Sequence, residues 1–335
     1  MQTPNLPPSS MLINGLSAPS RDTREAIARL SAELSTGRIE DVPEALRHDF
    51  SALGLAERDL ALSDGLRLSI AHGQRVTQAA EHALQGIATE LDEVRDDLVP
   101  LITGGAPTDL GGLAQASWNS FDRVVSLLNT RQDGGAVFAG GRSDTGAAAS
   151  AQDLRSDLQA IAALATDATD LTARIGAYFA DGGDFQTNRV PPGAPASYGF
   201  RLAANEIATV DARGDDSEFR AALATIASVA SVAGSAFAMD DDARQFLAID
   251  ATPALLSATD GVTNARAEMG RLGARTDTAG ELLTAQVRQA EVARSDLIGA
   301  DPFETATRLE QEVARLETIY TLTARLSRLR LTDYL

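Results

Sequence analysis

The sequence predicts a mainly α protein: an elongated bundle of long, coiled-coil-like helices drawn from both ends of the chain, with a β-hairpin and a small α/β outer insert. Three observations lead there. Of 335 residues 44% are hydrophobic but only 4% aromatic, so the core is built from Ala, Leu, Val and Ile, and Ala and Leu are strong helix formers. Apolar residues recur three and four apart over stretches of about 50 residues, where the mean globular helix has about 11–12. Glycine, proline and alternating patterns gather in the middle of the chain, leaving the two ends helical.

The elements follow in order. The opening dozen residues hold three of the twelve prolines and read as disordered. From Ser20 the pattern is helical, with Ile27, Leu30 and Leu34 on one face, and Gly37 breaks it. Asp41 is a candidate N-cap with Pro43 in the first turn of the next helix. From Leu46 to about Leu98 the helical spacing persists, most regularly at Val76, Ala80, Leu84, Ile87, Leu91, Val94 and Leu98; a helix of that length is about 75 Å long. Pro100 and the glycines after it end the run, and a helix spans about Leu113 to Asn129. Asp133-Gly134-Gly135 is a turn and VFAGG a short β-prone run, which together read as a hairpin. One helix is expected from about Ala151 to Ile175. Residues 178–215 carry glycine, proline, aromatics and an alternation at Ile207, Thr209 and Asp211, the mark of a small β-containing insert closed by a helix from Ser217 to about Ala236.

The last third returns to long helix. Val262, Ala265, Met269, Leu272, Thr276, Ala279, Leu283, Gln286, Ala290 and Leu297 hold one register. Gly270, Gly273 and Gly280 each cost about 1 kcal/mol against Ala in a helix interior, which close contact with a neighbour would offset. A restart follows: Asp301 as N-cap, Pro302 at the first helical position and Glu304 three after the cap. The final helix carries Leu309, Val313, Leu316 and Tyr320, then Leu322, Leu326 and Leu329, and the sequence closes on the apolar Leu335. Chain ends are ordinarily frayed and polar, so these apolar rows at both ends ask for partners. The domains expected are 1–50 with 300–335 as a terminal coiled-coil layer, 51–177 with 258–299 as a helical-bundle core bearing the hairpin, and 178–257 as a small outer insert.

Several function classes are disfavoured. A formal net charge of −18 opposes binding to nucleic-acid phosphates and to anionic lipid. The absence of cysteine removes disulfides, thiolate metal sites and cysteine nucleophiles. His72 and His82 lack the i,i+4 spacing of a helical metal pair, and His48 stands apart. GGRSDTG and DGGDF match neither phosphate-loop nor dinucleotide-loop spacing and read as turns. The acidic run Asp240-Asp241-Asp242 lacks the calcium-loop pattern, and no G-x-S-x-G elbow occurs. The expectation is a protein without catalytic residues, metal or cofactor. The first residues show no basic n-region or apolar h-region, and no stretch of about 18 apolar residues could span a bilayer. That leaves a cytoplasmic protein or one exported without a cleaved signal.

The ends of the chain carry a resemblance. Ser295, Leu297, Ala300 and Asp301 form an S-x-L-x-x-A-D break between a long helix and a terminal helix. The last five residues are Leu331-Thr332-Asp333-Tyr334-Leu335. Phe138, Ala139, Gly140, Ser143, Asp144 and Thr145 fit an F-A-G-x-x-S-D-T hairpin. Together these resemble the bacterial flagellin family, and within it the subunits at the junction of hook and filament, over about residues 20–150 and 262–335. Gly37 and Arg38 match the loop after the family's first helix, whereas the family's paired acids before proline are not matched.

The resemblance implies a structural subunit secreted through the flagellar type III export system, acting by helical packing in the extracellular flagellum and in motility. Its implied partners are hook-associated protein 1, flagellin, other copies of itself and an export chaperone on the C-terminal helix. The implied assembly interface is Ile27, Leu30, Leu34, Leu309, Val313, Leu316, Tyr320, Leu326, Leu329 and Leu335, with Phe138, Gly140 and Asp144 marking the hairpin. Three rivals stand beside this reading: a filament-forming flagellin; a cytoplasmic coiled-coil adaptor or chaperone, which would also be acidic, alanine-rich and free of cysteine; and an enzyme with its site in the 178–257 insert, which only the glycine and acid content of that stretch suggests.

Overall fold

Helix dominates the computed structural model, which describes residues 9–102, 110–140, 146–191, 198–235 and 241–332. The helices are α1 (Ser9–Thr36), α2 (Val42–Ala45), α3 (Ser51–Ile102), α4 (Leu110–Leu128), α5 (Ala151–Ala162), α6 (Ala168–Phe179), α7 (Ser217–Ala230), α8 (Asp241–Ile298) and α9 (Pro302–Thr332). Two antiparallel hairpins interrupt them, β1 (Arg131–Gln132) with β2 (Gly135–Ala136) and β3 (Tyr198–Ala203) with β4 (Glu206–Val210). The mainly α class, the long helices and the central hairpins are thus those the sequence predicts. Contacts divide the chain into two units, Met1–Ser63 with Thr284–Leu335 and Asp64–Leu283.

Local chemistry explains where elements start and stop. Helix α1 begins at Ser9, earlier than the sequence reading of Ser20: the first three prolines precede Ser9, and Met11, Leu12 and Leu16 favour helix. The helix expected to run on from Leu46 breaks instead. Arg47 and His48 take left-handed backbone angles, φ 49° and 65°, and the Asp49 carboxylate accepts from the backbone N and hydroxyl of Ser51, at 3.0 and 2.6 Å, to restart the chain as α3. The single helix expected over 151–175 is two. The Asp167 side chain accepts from Asp170 N at 2.8 Å while Asp170 accepts from Thr166 N at 3.0 Å, a reciprocal cap that opens α6.

The larger unit holds the main core. Val76, Ala80, Leu84, Ile87, Leu91, Val94 and Leu98 of α3 are all buried, as are Phe121, Val124 and Leu128 of α4 and Phe219, Leu223 and Ile226 of α7. Full burial of each large apolar side chain stabilises the unit by about 1.5–3 kcal/mol. Two glycines set how near neighbours come. A Cβ on Gly73 of α3 would lie 2.3 Å from the ring of Phe200 on β3, and one on Gly86 would lie 2.8 Å from Leu127 of α4. On α8 a Cβ at Gly261 would lie 2.6 Å from Glu218 of α7, but the three glycines expected to make close contact do not: Gly270 has nothing within 4 Å, and Gly273 and Gly280 have only ordinary contacts. Residues Val262, Ala265, Met269, Thr276 and Leu283 of α8 are buried as their register predicts, but the row continues through Val287 and leaves Gln286 exposed.

Two ion clusters brace this unit. Asp157 of α5 takes a bidentate pair from Arg189, 2.7 Å on each oxygen, and accepts from the Tyr178 hydroxyl at 2.8 Å. Hydrogen bonding to Arg189 holds the Asp157 carboxyl below its ordinary range, whereas burial and Asp157 itself push the Tyr178 hydroxyl up. Asp133, at the tip of the first hairpin, accepts from Arg75 at 2.8 Å and lies 2.7 Å from His72 Nδ1. Arg75 first, then His72, holds that carboxyl well below the usual range.

Candidate assembly surface

The smaller unit joins the two ends of the chain. Helix α1 stops at Gly37, whose φ of 68° is one an L side chain rarely takes. Helix α8 stops at Gly299, and Asp301 opens α9 by accepting from Phe303 N at 2.8 Å and Glu304 N at 3.2 Å. The two breaks zip together: Ile39 N donates to Ile298 O at 2.9 Å, and Ala300 N donates to Gly37 O at 3.0 Å. From this clasp α1 and α9 run antiparallel and pack on one another. Further along, Arg24 reaches across to Tyr320, its Nη2 donating to the hydroxyl at 2.6 Å with the guanidinium 5.6 Å from the ring centre.

The seam between them has a heptad rhythm. On α9 Thr305 and Ile319 are buried, and Leu309, Glu312 and Leu316 between them are half-buried. Among the described side chains of α1 the buried positions are Thr23, Leu30 and Glu33. Polar residues therefore share the seam with leucines. The Glu33 carboxylate is satisfied by Glu40 N at 3.1 Å, whereas Thr23 Oγ1 and Glu312 Oε2 are buried without a partner among the described residues. A buried unpaired polar atom costs about 1–3 kcal/mol, so this pairing is weaker than an all-leucine seam.

At about 100° of turn per residue, three exposed apolar residues fall on one flank of the pair, while Phe303 and Leu322 of α9, also exposed, face elsewhere. Leu34 is 42% exposed, Val313 40% and Tyr320 47%. The Arg24–Tyr320 contact shows that the α1 and α9 flanks lie on the same side. The interface residues expected from the sequence are distributed accordingly: Leu30 is buried in the seam, Leu316, Ile27 and Leu309 are half-buried at its edge, and Leu34, Val313 and Tyr320 form the uncovered flank. Leu326 and Leu329 belong to α9, but their side chains lie outside the described ones, and Leu335 lies outside the described residues. Sequence reading passed over Ile319, Thr23 and Thr305; counting heptads back from Ile319 through Leu316, Glu312 and Leu309 to Thr305 would have found the α9 pair.

The marked hairpin lies in the other unit. Phe138 is buried, with its ring 6.0 Å from that of Phe219, and its carbonyl accepts from Gly214 N at 2.9 Å. Gly140 takes a φ of 65°, which a Cβ would strain; Asp144 lies outside the described residues. Among the described residues no group of three histidine or acidic side chains is arranged to hold a metal, and no helix is long and apolar enough to cross a membrane. What the smaller unit offers is an apolar surface.

Residues 254–335, most of α8 and all of α9, match the model of the bacterial flagellin C-terminal helical region. No curated protein matches this sequence. Among solved structures the chain is similar to a protein of Vibrio parahaemolyticus provisionally assigned as a flagellar hook-associated protein, with a TM-score of 0.50 and 16% identity over 75% of this chain and 99% of that one. At that identity the likeness is one of fold. The two findings together support a flagellin-like C-terminal helical region over residues 254–335 and a fold shared with that solved structure.

Proposed function

We infer that this chain is a structural subunit of the bacterial flagellum, and that it serves as the junction between hook and filament, the role of hook-associated protein 3. The observation that carries this is the uncovered apolar flank of Leu34, Val313 and Tyr320. It sits on paired chain ends, one of which belongs to the segment matched by the flagellin C-terminal region. A flank of this kind is covered when other chains stack beside it, and newly buried apolar area then offsets the ordering of the ends. The work is mechanical, with no reaction and no cofactor.

In this reading residues 1–50 and 300–335 form an inner layer in the assembly, 51–177 and 258–299 a middle bundle, and 178–257 an outer insert. Leu326, Leu329 and Leu335 belong to the same interface. The neighbours are copies of the chain itself, hook-associated protein 1 on one side and flagellin on the other. Delivery is through the type III export channel with a chaperone on the C-terminal helix. The resemblance of Phe138 to Thr145 and of the TDYL ending to the junction subunits favours this role over that of filament subunit. Deletion of the gene tests it: cells should keep hooks and lose filaments. Long fibres grown by the purified chain alone would instead assign it to the filament.

A further inference from the structure

The α1–α9 pair has a second flank, opposite the apolar one, and its charges are sorted between the two helices. On α9 the exposed residues Arg308, Gln311 and Arg315 lie in a row which, at about 100° per residue, is turned away from Val313 and Tyr320. On α1 the matching flank is an open groove of about 610 Å³, with Asp22, Glu25, Arg29 and Glu40 around a floor that includes Ala28 and Ala32. Within one chain the two sets do not neutralise each other. Arg308 pairs with Glu304 of its own helix, Arg315 stands 3.5 Å from Glu312, and Asp22 and Glu25 hold no ion pair among the described residues.

We propose that this groove receives the Arg308–Gln311–Arg315 row of a second copy of the chain. The proposal rests on the reading that copies pack together, and it names which faces meet. Arg308 and Arg315 are seven residues, about 10.5 Å, apart along the helix. Glu25 and Ala32 span the same rise, with Asp22 and Glu25 at one end of the groove and Glu40 at the other. The acid–arginine–acid order of the groove meets the arginine–glutamine–arginine order of the row, and the Gln311 carboxamide oxygen accepts from Arg29 at the centre. All 29 basic residues of the chain are arginine. A guanidinium has five donors in a fixed fork, so one bonded within its own helix keeps donors for a neighbour. The small Ala28 and Ala32 let a helix lie close. In a chain of net charge −18, copies otherwise repel, and this pairing supplies a local attraction that sets register more than strength. It weakens as salt rises.

The chain contains no cysteine, so every thiol cross-link between copies comes from an introduced residue, and each variant expressed alone measures like-with-like cross-linking. Ala28→Cys and Gln311→Cys variants are co-expressed in the source bacterium, flagella are isolated and mildly oxidised, and the cross-linked dimer is measured. The dimer is expected between those two variants and not between Ala28→Cys and Glu317→Cys, whose position is on the far side of α9. Adding Asp22→Arg and Glu25→Arg to the Ala28→Cys chain should lower the dimer about tenfold. Adding Arg308→Glu and Arg315→Glu to the Gln311→Cys chain should then restore it. If the chain is present in flagella but the dimer is missing, or is unaffected by charge reversal, the proposal is overturned while the structural role stands. If the chain is absent from flagella, both fall.

Discussion

Replacing Val313 by aspartate separates folding from assembly. Val313 is 40% exposed in the single chain and makes no hydrogen bond through its side chain. Full burial of a valine is worth about 1.5–3 kcal/mol, so covering the exposed part contributes about 0.6–1.2 kcal/mol at each interface. An aspartate forfeits that and must also be desolvated without a partner, which costs several kcal/mol more. The total corresponds to a loss of at least about 100-fold in association. In the free chain the change is mild, because Val and Asp have similar helix propensities and substitutions at exposed positions move stability by about 0.5 kcal/mol or less. Circular dichroism should show unchanged helix content and melting, while the amount of chain recovered in sheared flagella should fall to background. Wild-type incorporation of Val313→Asp with normal swimming would refute the reasoning, because the flank would then be solvent-facing in the assembly as well.

Other perturbations reach different parts of the account. Leu316→Asp strikes the seam as well as the interface; it should loosen α1 from α9 in the free chain and abolish junction formation, with the larger unit still folded by near-ultraviolet dichroism. Gly73→Ala should lower the melting temperature, since its Cβ would lie 2.3 Å from Phe200, at a cost of about 1–3 kcal/mol. Gly270→Ala, with nothing within 4 Å, should raise stability by about 1 kcal/mol through helix propensity alone. Acid should also act on the larger unit. Asp133 and Asp157 are held below their ordinary values by Arg75 and Arg189, so their contribution is full above the unfolded value of about 3.9 and is lost as pH falls through the folded ones. Thermal melts should show stability declining on acidification below about pH 4, and Asp157→Asn should flatten part of that slope.

The parts legible in the sequence were those written in long, regular periods. Val76 to Leu98 could be read as one buried row because seven residues keep the same helical step, and Asp301-Pro302 announces its helix with a full set of start signals. Shorter signals were overridden. Asp167 and Thr166 look like ordinary residues inside an alanine-rich helix until the reciprocal cap is seen. The move from Gln286 to Val287 reflects a heptad count drifting on a helix of 3.6 residues per turn. Glycine reading chose the wrong positions: the close approaches between helices and their neighbours are at Gly73, Gly86 and, on α8 itself, Gly261, where the partners Phe200, Leu127 and Glu218 come from elements distant in sequence. At the candidate surface the apolar residues were visible as a set. Their division into seam and flank was not, because it depends on Thr23, Thr305 and Glu312, polar residues that pattern reading assigns to solvent.

Amide hydrogen exchange on the lone chain in dilute solution, compared with the same chain recovered in flagella, tests the central claim most directly. In the lone chain the amides of residues 20–36 and 302–325 should exchange far faster than those of 76–98, and become protected on assembly. Slow exchange throughout the solitary molecule, unchanged after incorporation, would show that its ends need nothing from a neighbour and would contradict the account.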